Sequence, residues 1–132
     1  MVPSIRIGRV CRADEGFTLV ELMIVVTIVG ILTTISVPSY HTSLMKAKET
    51  VLRQDLFTMR EVLDQHRADQ GKYPASLGAL VAAGYLRTVP KDPFTNSADT
   101  WQEISDPTEG GVFDVYSGSD LVGTNGTAYN LW

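Results

Sequence analysis

Apolar positions along the chain fall into two regimes. From Phe17 to Val37 the sequence reads FTLVELMIVVTIVGILTTISV, 21 residues that are apolar on every side and hold one charge, Glu21. At about 1.5 Å per helical residue such a run reaches roughly 31 Å, close to the hydrocarbon thickness of a bilayer. Beyond Tyr40 the pattern becomes one-sided: Leu52, Leu56, Met59, Leu63 and His66 recur at spacings of four, three, four and three, which is one face of an amphipathic helix. Arg53, Arg60 and Arg67 repeat at seven on another face, and Glu49 to Arg53 and Arg60 to Asp64 are spaced for i,i+4 surface pairing. The two regimes predict a helix from about Phe17 to Gln70, stopped by Gly71, with Tyr73-Pro74 turning the chain away.

After Tyr73 the signals shorten. Ser76 is placed to cap a short helix running to about Ala83 and ended by Gly84. Pro90, Asp92-Pro93 and Asn96 mark a loop. Trp101 to Ile104 and Val112 to Tyr116 then read as strands, separated by Asp106-Pro107 and Gly110-Gly111. Two or three short antiparallel strands cannot stand alone, so Trp101, Phe113, Val115 and Tyr116 are expected to pack on the apolar helix face, with His66 as a satisfied histidine at its edge. The fold class is α+β: a long N-terminal helix, its first half transmembrane, carrying a small antiparallel sheet.

Charge changes the picture in one respect, which is direction. Residues 1–16 hold Arg6, Arg9 and Arg12 against Asp14 and Glu15, a net of +1 within an overall charge of -4, so the remainder carries -5. The first basic residues after the apolar run are Lys46 and Lys48, and the positive-inside tendency therefore places the N-terminus in the cytoplasm and the rest outside. An acidic remainder without a basic stripe excludes generic phosphate-backbone binding, and nucleic acid is not an expected partner. Cys11 is the one cysteine and is read as incidental rather than as a lipidation or redox site. His41 and His66 both lie on the long helix, and no phosphate-cradling glycine loop or metal-ligand spacing accompanies them, so no catalytic set emerges. The apolar run is longer than a secretory signal core and Ser36-Val37-Pro38-Ser39-Tyr40 offers no clear small-residue cleavage site; a plain single-pass anchor stays open.

Glu21 does not suit a plain anchor. A carboxylate among apolar residues costs a few kcal/mol at mid-bilayer and usually marks a function or a paired charge. If the chain were cut between Gly16 and Phe17, the new ammonium could meet the Glu21 carboxylate of a neighbouring copy; at about 4 Å and an effective dielectric of 20 their attraction is on the order of 4 kcal/mol before desolvation. The alternative is that Glu21 lies shallow, at the headgroups and the positive end of the helix dipole. Pro38 removes one backbone donor and crowds the preceding turn, so a kink or local melting is expected there, eased by Gly30, Thr33, Thr34 and Ser36.

Gly16-Phe17-Thr18-Leu19-Val20-Glu21 followed by LMIVVTIVGIL resembles the N-terminal motif of type IV pilins and of the pseudopilins of type II secretion. The order YP-x-SL, GYL and P-x-DPF ahead of two strands is similar to the head of the major pseudopilins. The resemblance implies a leader (1–16) removed by a dedicated prepilin peptidase that also methylates Phe17, a transmembrane and filament-core half-helix (17–38), and an amphipathic half-helix with a globular head (39–132). It also implies that Glu21 directs subunit addition and that Pro38 is the family's helix-kink proline. Expected partners are copies of the same chain, the inner-membrane assembly platform and minor pseudopilins. The precursor would lie in the inner membrane with a periplasmic head, then in a filament. In major pseudopilins the last loop binds calcium; here Asp120 alone falls on a family ligand, with Thr124 and Asn125 as neutral oxygens, and the alternative is an ordinary Gly-rich loop held by the closing Tyr129 and Trp132. The function implied is a structural subunit, a major pseudopilin helping to export proteins across the outer membrane, and not an enzyme. A true type IV pilin, a minor filament subunit and a membrane-anchored periplasmic binding module are the alternatives.

Overall fold

A computed structural model describes Pro3, Ser4, Gly8 and residues 16–132. Arg6, Arg9, Arg12, Cys11 and the acids of the leader lie outside the described residues. The chain divides into two compact units, one ending at Pro38 and the other Ser39–Trp132.

Helix α1 spans Leu19–Gln70, two residues later at its start than the apolar pattern suggests. Thr18 explains the difference: its hydroxyl accepts from the Glu21 amide (3.2 Å) and its carbonyl from the Leu22 amide (3.1 Å), so Thr18 is the N-cap and Phe17 precedes the helix. In the first unit, Thr27, Thr33, Thr34 and Ser36 return their hydroxyl protons to carbonyls three or four residues back, at 2.7 to 2.9 Å. That is how hydroxyl side chains are carried in an apolar helix without exposing a free polar group. Pro38 lies inside α1, and the backbone is helical through it rather than locally melted. Its missing N–H removes one bond, but the neighbouring turns are held by their own ladder and by Ser36.

In the second unit the face read from sequence is the core. Leu52, Leu56, Met59 and Leu63 are buried on α1, and Leu77, Leu80, Trp101, Val112, Val115 and Tyr129 pack against them. Gly71, at φ +70°, ends α1 with its amide on the Arg67 carbonyl, a left-handed conformation that glycine adopts without strain. His66 closes the same end: its Nδ1 donates to the Lys72 carbonyl at 2.8 Å and its ring tilts against Tyr85, the satisfied edge position expected of it. Helix α2 (Leu77–Ala82) is capped by Ser76, whose hydroxyl accepts from the Ala79 amide, and buries Leu77 and Leu80.

Strands β1 (Gln102–Ser105) and β2 (Val112–Tyr116) form one antiparallel pair. Pairing runs Ile104 to Asp114 and Ser105 to Val112, so Phe113 is an extra residue, a bulge. The bulge corrects the expected packing set. Strict alternation would turn Phe113 and Val115 to the same side; with one residue inserted, Val112 and Val115 face the core, while Phe113 is exposed beside Tyr73. Trp101 precedes β1 and is buried, its indole N–H on the Pro90 carbonyl at 2.7 Å.

Gly118 follows β2 where a Cβ would lie 2.0 Å from the Thr100 carbonyl oxygen, a distance no side chain tolerates. Gly118→Ala is expected to destabilise the head by about 1–3 kcal/mol or more through overpacking. Gly78→Ala, which meets only Ser76 Oγ at 3.6 Å, is expected to be neutral or slightly stabilising. Denaturant unfolding of the detergent-solubilised chain measures both, and equal midpoints for the two variants would contradict the close approach.

Candidate functional site

The residues that sequence singles out at the N-terminus share a short segment. Gly16 and Phe17 are in irregular, exposed chain immediately before the Thr18 cap, and Phe17 is 84% exposed. A peptide bond outside regular structure can enter a protease cleft without unfolding a helix first. Glu21 lies in the first turn of α1, three residues after the cap. Thr18-x-x-Glu21 has the spacing of a capping box, of which the Thr18 half is formed, a signal present in the sequence and missed by a reading that took Glu21 only as a charge among apolar residues. From Leu19 to Val37 the large apolar side chains are all exposed, including Leu22, Ile24, Val29, Leu32 and Ile35. Among the described residues, α1 is the one helix long and apolar enough to cross a membrane. So much uncovered apolar surface is stable only in lipid or against other apolar helices.

In the head, the charges read as surface pairs do something else. Arg60 does not turn to Asp64. Its Nε donates to Asp114 Oδ1 at 2.8 Å, and its terminal nitrogen to the carbonyls of Val115 (3.0 Å) and Trp132 (2.6 Å). One guanidinium thereby ties α1, β2 and the last turn together, which its planar fork of donors allows and an ammonium would not. Arg53 lies over the Trp132 ring at 4.5 Å instead of extending along the helix to Glu49. Asp92 is fully buried, accepting from the Phe94 amide and the Ser117 hydroxyl, and so joins the loop after α2 to the end of β2.

Glu49 is 3% exposed. Its Oε1 accepts from the Thr124 amide (2.7 Å) and the Tyr129 hydroxyl (2.8 Å), and its Oε2 from the Thr124 hydroxyl (2.7 Å). Burial pushes its carboxyl up, but the Thr124 hydroxyl and amide, the Tyr129 hydroxyl and the Arg53 charge outweigh burial and hold it below the ordinary carboxylate value. Burial, then the bond to Glu49, pushes the Tyr129 phenol up to about 12, so it remains a donor throughout the neutral range. Glu49 is one turn before Leu52 on the same apolar face; that continuation of the three-four spacing is the signal that would have marked it as buried.

The last loop turns its donors toward α1. Asp120 is exposed and is the single carboxylate between Ser117 and Thr127. Asn125 Oδ1 is occupied by the Thr127 amide and hydroxyl, and Thr124 points its donors at Glu49. Calcium needs six to eight converging oxygen acceptors, and among the described residues no three histidine, cysteine or acidic side chains are grouped to hold a metal.

An exposed Gly-Phe junction opening an apolar helix, with a small α+β head packed on that helix's later turns, defines a pilin-like protein. Residues 11–37 match the family described as the prokaryotic N-terminal methylation motif. Several relatives bear the name type II secretion system core protein G. That of Pseudomonas aeruginosa is 36% identical over 122 residues, covering 80% of this chain and 83% of its own. That of Vibrio cholerae is 34% identical over 121 residues, covering 80% of each, and that of Klebsiella pneumoniae is 30% identical over 122 residues, covering 80% and 84%. The chain belongs to the type II secretion system core protein G family, the major pseudopilins. No solved structure matches it.

Because Glu49 has a lowered carboxyl in the folded head, its contribution to stability is fully present above the unfolded-chain carboxylate value of about 4.3 and is lost as pH falls through the lower folded value. Acid titration of unfolding in detergent is expected to show a steeper loss below about pH 4 in the wild type than in Glu49→Gln; parallel acid limbs would show that Glu49 is not the linked group. Arg60→Lys, which keeps charge but not the fork, is expected to destabilise the head by about 1–3 kcal/mol, and a midpoint equal to that of the wild type would show that the three acceptors do not need the fork.

Proposed function

We propose that the chain is made as an inner-membrane precursor, cut between Gly16 and Phe17 and methylated on Phe17, and that its mature form is an inert subunit of the pilus-like filament of a type II secretion system. The observation that carries this reading is the first unit: a helix exposed over its whole apolar surface with Glu21 as its lone charge, five residues beyond Gly16, within the methylation-motif match. Such a surface has two suitable environments, lipid before assembly and the helices of other copies afterwards.

The cut makes the chemistry of assembly. It turns the Phe17 amide into an ammonium, the cation that a Glu21 carboxylate of a neighbouring copy requires in an apolar surrounding. Pairing at one depth fixes axial register, because a subunit displaced by one turn leaves both charges unpaired in a low-dielectric core. Thr18 holds Glu21 in the first helical turn, where it is within a few residues of the new terminus. Pro38, at the boundary of the two units, is the position where α1 has one bond fewer to lose when neighbouring subunits press on it. The head, on the far side of Pro38 in sequence, would face the periplasm. The prepilin peptidase, the assembly platform and minor pseudopilins are the expected partners, and the filament's role would be to help move proteins across the outer membrane.

Intact-mass and N-terminal peptide measurement of the membrane-extracted protein are expected to give a chain beginning at Phe17 and heavier by one methyl group; any other N-terminus removes the processing proposal. Glu21→Ala is expected to be made and cut normally yet to fall by tenfold or more in filament yield, an order of magnitude corresponding to about 1.4 kcal/mol per addition step. Normal filaments from this variant would remove Glu21 from the assembly step, whereas a wild-type chain that forms no filament and a Glu21→Ala variant with unchanged function would favour a membrane-anchored binding module.

A further inference from the structure

The C-terminal loop contains a second arrangement that assembly does not use. Between Leu121 and Trp132 the chain makes a bridge, Val122 to Ala128, and closes on itself: Gly123 donates to the Thr127 carbonyl, Gly126 to the Gly123 carbonyl, and the Trp132 indole to the Thr127 hydroxyl. What this internal bonding leaves over is directed at α1. The Thr124 amide, the Thr124 hydroxyl and the Tyr129 hydroxyl all converge on the two oxygens of Glu49, 75 and 80 residues away in sequence.

The polarity of this junction is informative. A loop organised by a divalent cation turns oxygen acceptors inward; this loop turns three N–H and O–H donors inward, and what they meet is an acceptor. A buried carboxylate is a net cost unless its lone pairs are taken up, and here they are. Tyr129 is fixed from its other sides by stacking on Phe94 at 3.8 Å and by the edge of Trp132, so its hydroxyl arrives at Glu49 already oriented. The Arg53 charge agrees with a resident anion: Arg53 is one turn along α1 and lies over Trp132.

We propose that the Glu49 carboxylate is the built-in anchor of the C-terminal loop, occupying the organising role that the family resemblance gives to calcium, so that the head of this chain closes without a metal. The inference concerns the head alone and does not rest on the filament reading. An acidic anchor carried on α1 is part of the fold from synthesis onward, and its strength does not vary with the divalent cation content of the periplasm or the medium.

The test uses the full chain in detergent, with unfolding followed by tryptophan fluorescence and amide exchange followed by mass spectrometry. The probe is calcium chloride on the order of 1 mM, the range of weak extracellular calcium modules, against an excess of EDTA. Wild-type midpoints in the two buffers are expected to agree within about 1 °C, since a ligand that does not bind cannot shift stability. Glu49→Gln is expected to speed exchange of the Thr124 amide by about tenfold or more in both buffers, through local opening of the loop. Should Glu49→Gln fail to fold, Tyr129→Phe removes one donor and keeps the ring stack; it is expected to lower the midpoint equally with calcium and with EDTA. A wild-type midpoint raised several degrees by calcium, an unchanged Thr124 exchange rate in Glu49→Gln, or a Tyr129→Phe loss restored by calcium would each overturn the proposal.

Discussion

One face of α1 is the constraint on which the head depends. A two-stranded sheet has no second layer of its own, and a six-residue helix has none either. Every buried apolar group they contribute must therefore find its partner on Leu52, Leu56, Met59 and Leu63. The same requirement explains the bulge at Phe113. Four helix residues set where apolar side chains are needed, and β2 meets them with Val112 and Val115 by leaving Phe113 unpaired opposite the step from Ile104 to Ser105. Polar chemistry then follows the apolar contacts. Glu49 and His66 bracket the buried face, and each is satisfied by chain that the core has brought to it.

The two units meet opposite demands with one type of element. Up to Val37 the helix is apolar on every side and, among the described residues, its large apolar side chains are left outward, while its hydroxyl side chains bond back to its own carbonyls. From Ser39 onward the helix is amphipathic and its partners are in the same chain. A surface that is finished within the chain and one that is unfinished divide the labour of a filament subunit: the first is stable in water on its own, and the second becomes stable by association.

Much of this was legible in the residues. The apolar run, the three-four spacing, Gly71 and the Ser76 cap each rest on local chemistry, and local chemistry can be read without knowing what lies opposite. The Gly16, Phe17 and Glu21 spacing was legible for the same reason. What escaped was non-local. Glu49 to Arg53 and Arg60 to Asp64 are sound helix pairs by spacing, yet Arg60 found three acceptors and Glu49 three donors more than fifty residues away, and buried partners outbid solvent-exposed ones. Phe113 was misplaced because alternation assumes a regular ladder. The direction in which Thr124 presents its polar atoms is non-local in the same way, because it depends on Glu49 lying opposite.

Tyr129 is the largest of the fully buried side chains, and Trp132 gives its main-chain oxygen to Arg60. Both belong to the final stretch of the chain, so the core has no lid until that stretch has been synthesised and delivered. At about 5–20 residues per second, the apolar half of α1 leaves the ribosome seconds ahead of them, and contacts spanning more than seventy residues close late because their loop entropy must be met first. The order of events is thereby built into the sequence: the apolar half of α1 is complete while the head is still an open chain, and the core closes last.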